Sequence, residues 1–269
     1  MILSIITVNK NNAEGLRKTI LSVVCQTFPD FEYIIVDGNS SDSSVEIIND
    51  YVKQCSFPVS WVSENDSGIY DAMNKGIKMS HGDYLLFLNS GDTFVDEECV
   101  KRIFEKTPTC DIINARCNVV DGDKTKWTSP FLPIITLKTL YTIGLPHQST
   151  FIKRELFERF GYYKDSYRYN ADIAFWYKAI LFGNATTVAS DIIITNYDSH
   201  GISSVESKTE RYAKEMSEIL SEGILPRVIP DYEEEKEYRI MMREFEWIVS
   251  SPFTRFFLKV LKKIHKRLQ

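Results

Sequence analysis

The stretch Glu64-Asn-Asp-Ser-Gly-Ile-Tyr-Asp-Ala-Met-Asn-Lys-Gly-Ile-Lys-Met-Ser-His-Gly-Asp-Tyr-Leu-Leu-Phe-Leu-Asn-Ser-Gly-Asp92 decides the fold. Ile69, Met73, Ile77 and Met79 recur at near-helical spacing, and Gly82 ends that pattern. Tyr84 to Leu88 is a short apolar run suited to a central strand of a parallel sheet. The order is therefore loop, helix, turn, buried strand, and a polar tip at the strand's carboxyl end. Ligands of open α/β sheets bind outside the carboxyl ends of the strands. Asp66 to Asp71 and Asn89 to Asp92 are thus expected on the ligand side.

Upstream, Leu3 to Val8 predicts a strand, and Asn12 caps a helix with Leu16, Ile20, Val23 and Val24 on its apolar face. Phe31 to Val36 is a second strand. Ser40 and Ser41 precede a helix carrying Val45, Ile48 and Val52, and Val59 to Val62 begins a third strand. This β-α-β-α-β order implies parallel pairing with right-handed crossovers. Downstream, Asp111 to Ala115 reads as a strand, and Val119-Val120-Asp121-Gly122-Asp123 carries a hairpin turn signal. Arg154 to Phe160 reads as a short helix. Asn170 to Phe182 is an amphipathic helix with Asp172 in its first turn and Gly183 after it. Thr187 to Tyr197 alternates like a strand. The expectation is an α/β fold with a Rossmann-like, mostly parallel central sheet and flanking helices over residues 1–205, followed by a helical extension over residues 206–269.

A chain of 269 residues with 43% hydrophobic side chains has ample material for a core. Its net charge of -5 argues against nucleic acid as a partner, because binding to phosphate backbones needs a basic face. The five cysteines include no C-x-x-C pair, which points away from a disulfide framework or zinc site and towards the cytoplasm. Ile2 to Val8 is too short for a signal peptide, and no run approaches the roughly 18–20 apolar residues of a membrane-spanning helix. Thr254 to Gln269 is basic and amphipathic. That pattern serves equally a peripheral contact at the inner face of an anionic membrane and a helix packed on the body with a solvated basic face.

Five segments occur in a fixed order: Ser4-Ile-Ile-Thr-Val-Asn9, Tyr33-Ile-Ile-Val-Asp-Gly-Asn-Ser-Ser-Asp42, Asp66-Ser-Gly-Ile-Tyr-Asp-Ala-Met-Asn-Lys-Gly76, Phe87-Leu-Asn-Ser-Gly-Asp92 and Ala171-Asp-Ile-Ala-Phe-Trp176. Together they resemble family 2 glycosyltransferases of the GT-A fold, particularly those of bacterial surface-polysaccharide (colanic acid or capsule type) synthesis. The resemblance spans roughly the first 200 residues. It implies an inverting transfer of a sugar from a nucleotide-sugar donor, a UDP-sugar, to a glycan or lipid-linked glycan acceptor. Thr7, Val8 and Asn9 would line the nucleoside pocket, and Asp37 would accept a hydrogen bond from a base N–H. Asp66 would contact ribose or base and Lys75 the phosphates, with Asp71, Asn89 and Ser90 also on the donor side. Gly68 would allow close backbone approach.

The same resemblance makes Asp172 the general base for the acceptor hydroxyl. A first-turn Asp stabilised by the helix dipole is the structural alternative. His147 and Gln148 would contact the acceptor, or simply form a polar turn after Pro146. Trp176 and Phe175 would stack on an acceptor sugar, or pack in the core. The family usually presents an Asp-x-Asp type motif where this chain has Asn89-Ser90-Gly91-Asp92. A Mg²⁺ or Mn²⁺ ion would accordingly rest on Asp92 and the donor phosphates, with His200 as a further ligand. The lost acids also motivate an alternative, a non-catalytic nucleotide-sugar-binding or scaffold protein. A sugar nucleotidyltransferase and a Rossmann dehydrogenase are disfavoured because Thr7 to Gly15 has no clustered glycines.

Overall fold

The computed structural model describes residues 1–105, 110–200, 209–223 and 225–250, with side chains through residue 243. The chain divides into two compact units, Met1–Met216 and Ser217–Gln269. The first opens with β1 (Leu3–Asn9), α1 (Ala13–Val24), β2 (Phe31–Asp37), α2 (Ser44–Val52), β3 (Val59–Ser63), α3 (Ile69–Met79) and β4 (Tyr84–Phe87). Then come β5 (Thr93–Phe94), α4 (Cys99–Phe104), the hairpin β6 (Ile112–Asp121) and β7 (Lys124–Thr128), α5 (Leu137–Thr142), β8 (Thr150–Lys153) and α6 (Glu155–Phe160). Last in order are α7 (Ala171–Trp176), β9 (Thr187–Asp198), α8 (Glu210–Leu220) and α9 (Leu225–Ser250).

Among the described residues nine strands form one sheet in the order β3-β2-β1-β4-β8-β6-β9-β5, with β7 paired to β6. The predicted β-α-β-α-β order is present: β3, β2, β1 and β4 are mutually parallel. β8 runs antiparallel to both β4 and β6, and β9 is parallel to β6. Every residue of β1 and β2 is buried, as a strand covered on both faces requires. Fully buried Leu3, Ile5, Ile6, Ile34 and Leu86 each contribute about 1.5–3 kcal/mol of transfer free energy. The Asn12 cap is observed, its Oδ1 accepting from Gly15 N at 3.1 Å.

This topology places the site. The carboxyl ends of β1 to β4 lie at one edge of the sheet. Because β8 is reversed, its amino end, preceded by His147, comes to that same edge. β9, aligned with β6, brings Tyr197 and Asp198 there as well.

Beneath that edge, α7 is seated by an aromatic cluster. Phe157 stacks on Phe175 with ring centroids 4.4 Å apart, and Tyr163 meets Phe175 edge-on at 5.6 Å. The predicted helix over Asn170 to Phe182 departs from one period: it is α-helical through Trp176 and continues as a π-helix over Tyr177–Phe182. The predicted helix at Thr254 to Gln269 lies outside the described residues. No helix among the described residues is long and apolar enough to cross a membrane.

Candidate active site

A cleft of about 720 Å³ opens at this edge, bordered by Asn9 and Lys10 at the end of β1, Asp66 to Gly68 before α3 with Ile69 at its start, and Asn89, Ser90 and Asp92 after β4. His147, Arg168, Tyr197, Asp198 and His200 close the remaining side. Gly68 has φ +148, in the region that favours glycine, and it forms the N-cap of α3 at the cleft wall.

Asp172 stands in the first turn of α7. Its Oδ1 accepts from Ile173 N at 2.9 Å and contacts the Tyr70 hydroxyl at 2.9 Å. The same hydroxyl lies 2.8 Å from the Tyr169 carbonyl oxygen. Asp172 Oδ2 is 3.3 Å from His147 Nδ1, and His147 Nε2 is 3.1 Å from Asn89 Nδ2. A chain Tyr70–Asp172–His147–Asn89 thus runs from the core to the polar tip after β4. Burial opposes a charge on His147, but the hydrogen bond and charge of Asp172 and the charge of Asp92 outweigh it and raise its pKa.

Asp92 is only 4% exposed, and burial pushes its pKa up to about 7, opposed in part by His147 and by the backbone N–H of Asp198. Its Oδ1 accepts from Asp198 N at 3.1 Å. Gly91, next to it, has φ +108, so a carboxylate side chain at that position would carry backbone strain. Asp198 Oδ1 accepts from His200 N and lies 2.9 Å from His200 Nδ1, on an exposed turn. Among the described residues no three His, Cys, Asp or Glu side chains converge to form a metal cage. Asp92 is the single carboxylate of the tip after β4 that borders the cleft.

Several expected site residues lie elsewhere. Thr7 is fully buried, with its Oγ1 donating to Leu88 O at 2.7 Å, so its hydroxyl joins β1 to the β4 segment instead of lining a pocket. Asp37 is also fully buried. It accepts from Asn9 Nδ2, Ser40 N, Ser40 Oγ and Ser63 Oγ. Burial opposes its charge, yet these hydrogen bonds outweigh burial and hold its pKa below the usual range. Gln148 is buried against Cys117. Trp176, expected to stack on an acceptor, is fully buried in the aromatic cluster, which is what its helical spacing with Phe175 also allowed. Lys75 is held on α3 by Glu64 at 3.0 Å and by the Asn65 carbonyl oxygen. Asp71 accepts from Ser67 N at 2.9 Å and so caps the start of α3. Val8, Asn9, Asp66, Gly68, Asn89, Ser90, Asp92, His147 and His200 do border the cleft.

Sequence reasoning missed Lys10, Arg168, Tyr70 and Glu215. Lys10 follows β1 directly, a position that could have been read as a phosphate partner. Tyr70 lies within the opening stretch, but its partner Asp172 is 102 residues away. Glu215 of α8 is buried and accepts from Arg168 N, Tyr169 N and Asn170 N at 2.7, 3.0 and 3.2 Å. It thereby fixes the segment that leads into Asp172.

A model of the family described as Glycosyl transferase family 2 matches residues 4–167. An uncharacterized glycosyltransferase of Mycobacterium tuberculosis is 30% identical over 207 residues, spanning 75% of this chain and 76% of that protein. A PGL/p-HBAD biosynthesis glycosyltransferase of Mycobacterium bovis is 28% identical over 202 residues, spanning 74% and 77%. Among solved structures, S. aureus TarS in complex with UDP-GlcNAc aligns with a TM-score of 0.61 and 23% identity, over 74% of this chain and 58% of that one. The mannosyltransferase PcManGT of Pyrobaculum calidifontis, in complex with GDP-Man and Mn²⁺, aligns with a TM-score of 0.62 and 14% identity, over 82% and 64%. This chain spans less than two thirds of either solved chain, and at these identities the likeness concerns the fold, which is the GT-A fold.

Proposed function

Because the chain belongs to glycosyl transferase family 2, we propose that its cleft binds a nucleotide-sugar, specifically a UDP-sugar. The sugar passes with inversion to a hydroxyl of a glycan or lipid-linked glycan in surface-polysaccharide synthesis. The observation that carries this reading is the Tyr70–Asp172–His147–Asn89 chain, which ends at the cleft beside the tip holding Asp92. The UDP-GlcNAc in the TarS structure and the mycobacterial relatives in PGL/p-HBAD biosynthesis support the donor class and the acceptor class respectively.

In the reaction the acceptor oxygen forms a bond to the anomeric carbon as the bond from that carbon to the diphosphate oxygen breaks, and its electron pair leaves with the phosphate. The acceptor proton passes to the Asp172–His147 pair. Tyr70 and Ile173 N hold one oxygen of Asp172, so the pair keeps its orientation while it takes the proton. Lys10 and Arg168 supply positive charge along the cleft, where the diphosphate gains negative charge. Asp92 would hold a Mg²⁺ or Mn²⁺ ion, with His200 at the cleft rim as a second candidate ligand. When bound, such an ion supplies further charge neutralisation to the leaving diphosphate. Thr254 to Gln269 would keep the enzyme at the cytoplasmic face of the membrane, near a lipid-linked acceptor.

Calorimetric titration with UDP, GDP, dTDP and CMP, each with Mn²⁺, with Mg²⁺ and with chelator, tests the donor assignment. Tight, metal-dependent binding of UDP over the others is the expected result. Absence of binding by every nucleotide overturns it.

A further inference from the structure

From Lys124 to Arg154 the chain contains no Asp or Glu and five Lys or Arg, although the whole protein has 37 acids and a net charge of -5. The same segment carries a concentration of exposed apolar side chains: Trp127 at 52%, Phe131 at 47%, Ile134 at 73% and Ile143 at 52%. Elsewhere in the described part of the first unit, large exposed apolar residues such as Leu21, Tyr162 and Phe182 are scattered along the sequence.

The segment is anchored. Ser129 N donates to Cys117 O at 2.8 Å, and Leu140 and Leu145 are buried. Trp127 is held on β7 opposite Val119, and Phe131, Ile134 and Ile143 lie between these anchors. The segment then enters the turn that carries His147 to the cleft.

We propose that residues 124–143 form a membrane-docking surface whose partner is an anionic lipid bilayer. The chemistry of the segment matches that partner on both counts. Trp127, Phe131, Ile134 and Ile143 supply apolar area for the boundary between headgroups and acyl chains, and a tryptophan is suited to that depth. Lys124 and Lys138 supply cations for anionic headgroups, while Lys126 is held by Asp121 at 2.9 Å across the hairpin. Four large apolar side chains exposed within one short segment are also unfavourable to leave in water. Docking here would bring the segment that leads to His147 close to a membrane-bound acceptor, a link that rests on the proposed use of a lipid-linked acceptor. The docking itself is independent of that use and of Thr254 to Gln269.

The test is co-sedimentation of the full chain with vesicles of phosphatidylcholine alone and with vesicles that also carry phosphatidylglycerol. Binding to the anionic vesicles only, weakened by added salt, is expected. The double variant Phe131→Ser/Ile134→Ser should bind them at least tenfold more weakly. The control Leu21→Ser/Phe182→Ser, also exposed but outside the segment, should bind as the parent does. Unchanged binding by the first pair overturns the proposal and leaves any membrane contact to the C-terminal segment. Equal loss with the control pair, or absence of binding by the parent chain, also overturns it. So does light scattering that shows a dimer of the parent which the first pair abolishes, because the surface then belongs to a second copy of this chain. None of these outcomes depends on nucleotide binding, so the docking surface and the transfer reaction fail separately.

Discussion

His147 Nδ1 stands 3.3 Å from Asp172 Oδ2, while Asp172 Oδ1 is held at 2.9 Å by both Tyr70 and Ile173 N. Charge-assisted N–H···O bonds are usually about 2.7–2.9 Å, so one oxygen of Asp172 is fixed and the other is loosely held. A loosely held carboxylate oxygen beside an imidazole can exchange that contact for an acceptor hydroxyl, and catalytic contacts are often long before substrate binds.

Asp172→Asn should lower kcat by about 10²–10⁴, the usual range for losing a general base, while leaving UDP affinity within about twofold. The amide keeps the bonds to Tyr70 and Ile173 N but offers no basic oxygen to the acceptor. Transfer assays at saturating donor, paired with UDP titration, check both halves. Transfer at the parent rate would refute the assignment of Asp172 and His147 as the proton acceptor.

Asp92 should make stability depend on pH near neutrality. Its pKa is pushed up to about 7 in the folded chain, against an ordinary 3.8. The folded state therefore binds the proton more tightly than the unfolded state. Stability from this group is fully present below about pH 4 and is lost as pH rises through about 7. Asp92→Asn should thus stabilise the protein at pH 8, by roughly 4 kcal/mol at most. Near pH 4 the gain should nearly vanish. Urea unfolding of parent and variant at the two pH values measures the difference, and a pH-independent difference would contradict the burial argument.

The fold was more legible than the site, for reasons visible at single residues. Leu3 to Val8 and Tyr84 to Leu88 are apolar runs bounded by polar turns, so the strands and their order followed from periodicity. Asn12 as a cap and the hairpin at Asp121 to Lys124 were equally local signals. The site, by contrast, depends on contacts made after folding. His147 and Asp172 are 25 positions apart and meet only because β8 runs against β4. Thr7 and Asp37 sit at the carboxyl ends of strands, as expected, but their side chains are consumed by neighbours that sequence position does not reveal. Glu215 lies in a charged helix that reads as a solvated face, yet it is buried under three backbone N–H groups.

Gly91, beside the one acid of the tip after β4, holds a backbone conformation that favours glycine. With φ at +108, a side chain there is strained even though its Cβ would meet Asp198 Oδ2 no closer than 3.6 Å. Gly91→Ala should therefore destabilise the chain by about 1–3 kcal/mol through backbone conformation alone. Thermal unfolding checks this. A variant as stable as the parent would mean that the tip has another accessible conformation.

Glu215→Ala should impair transfer although the residue does not border the cleft. Its carboxylate accepts from the backbone N–H groups of Arg168, Tyr169 and Asn170, and also from Arg211 Nε at 3.2 Å. Those three residues carry a cleft-lining guanidinium, the carbonyl oxygen that contacts Tyr70, and the residue before the helix of Asp172. Removing the carboxylate leaves buried donors without an acceptor, at a cost of roughly 2–4 kcal/mol in unfolding free energy. The segment loosens and the orientation of Asp172 loosens with it, so kcat should fall by at least about tenfold, as small misplacements of reacting groups do. Glu215→Gln keeps one carbonyl oxygen as an acceptor and should recover part of both losses. A purely structural role would lower stability and leave kcat of the folded fraction unchanged, and that split in the data would remove Glu215 from the account of how Asp172 is positioned.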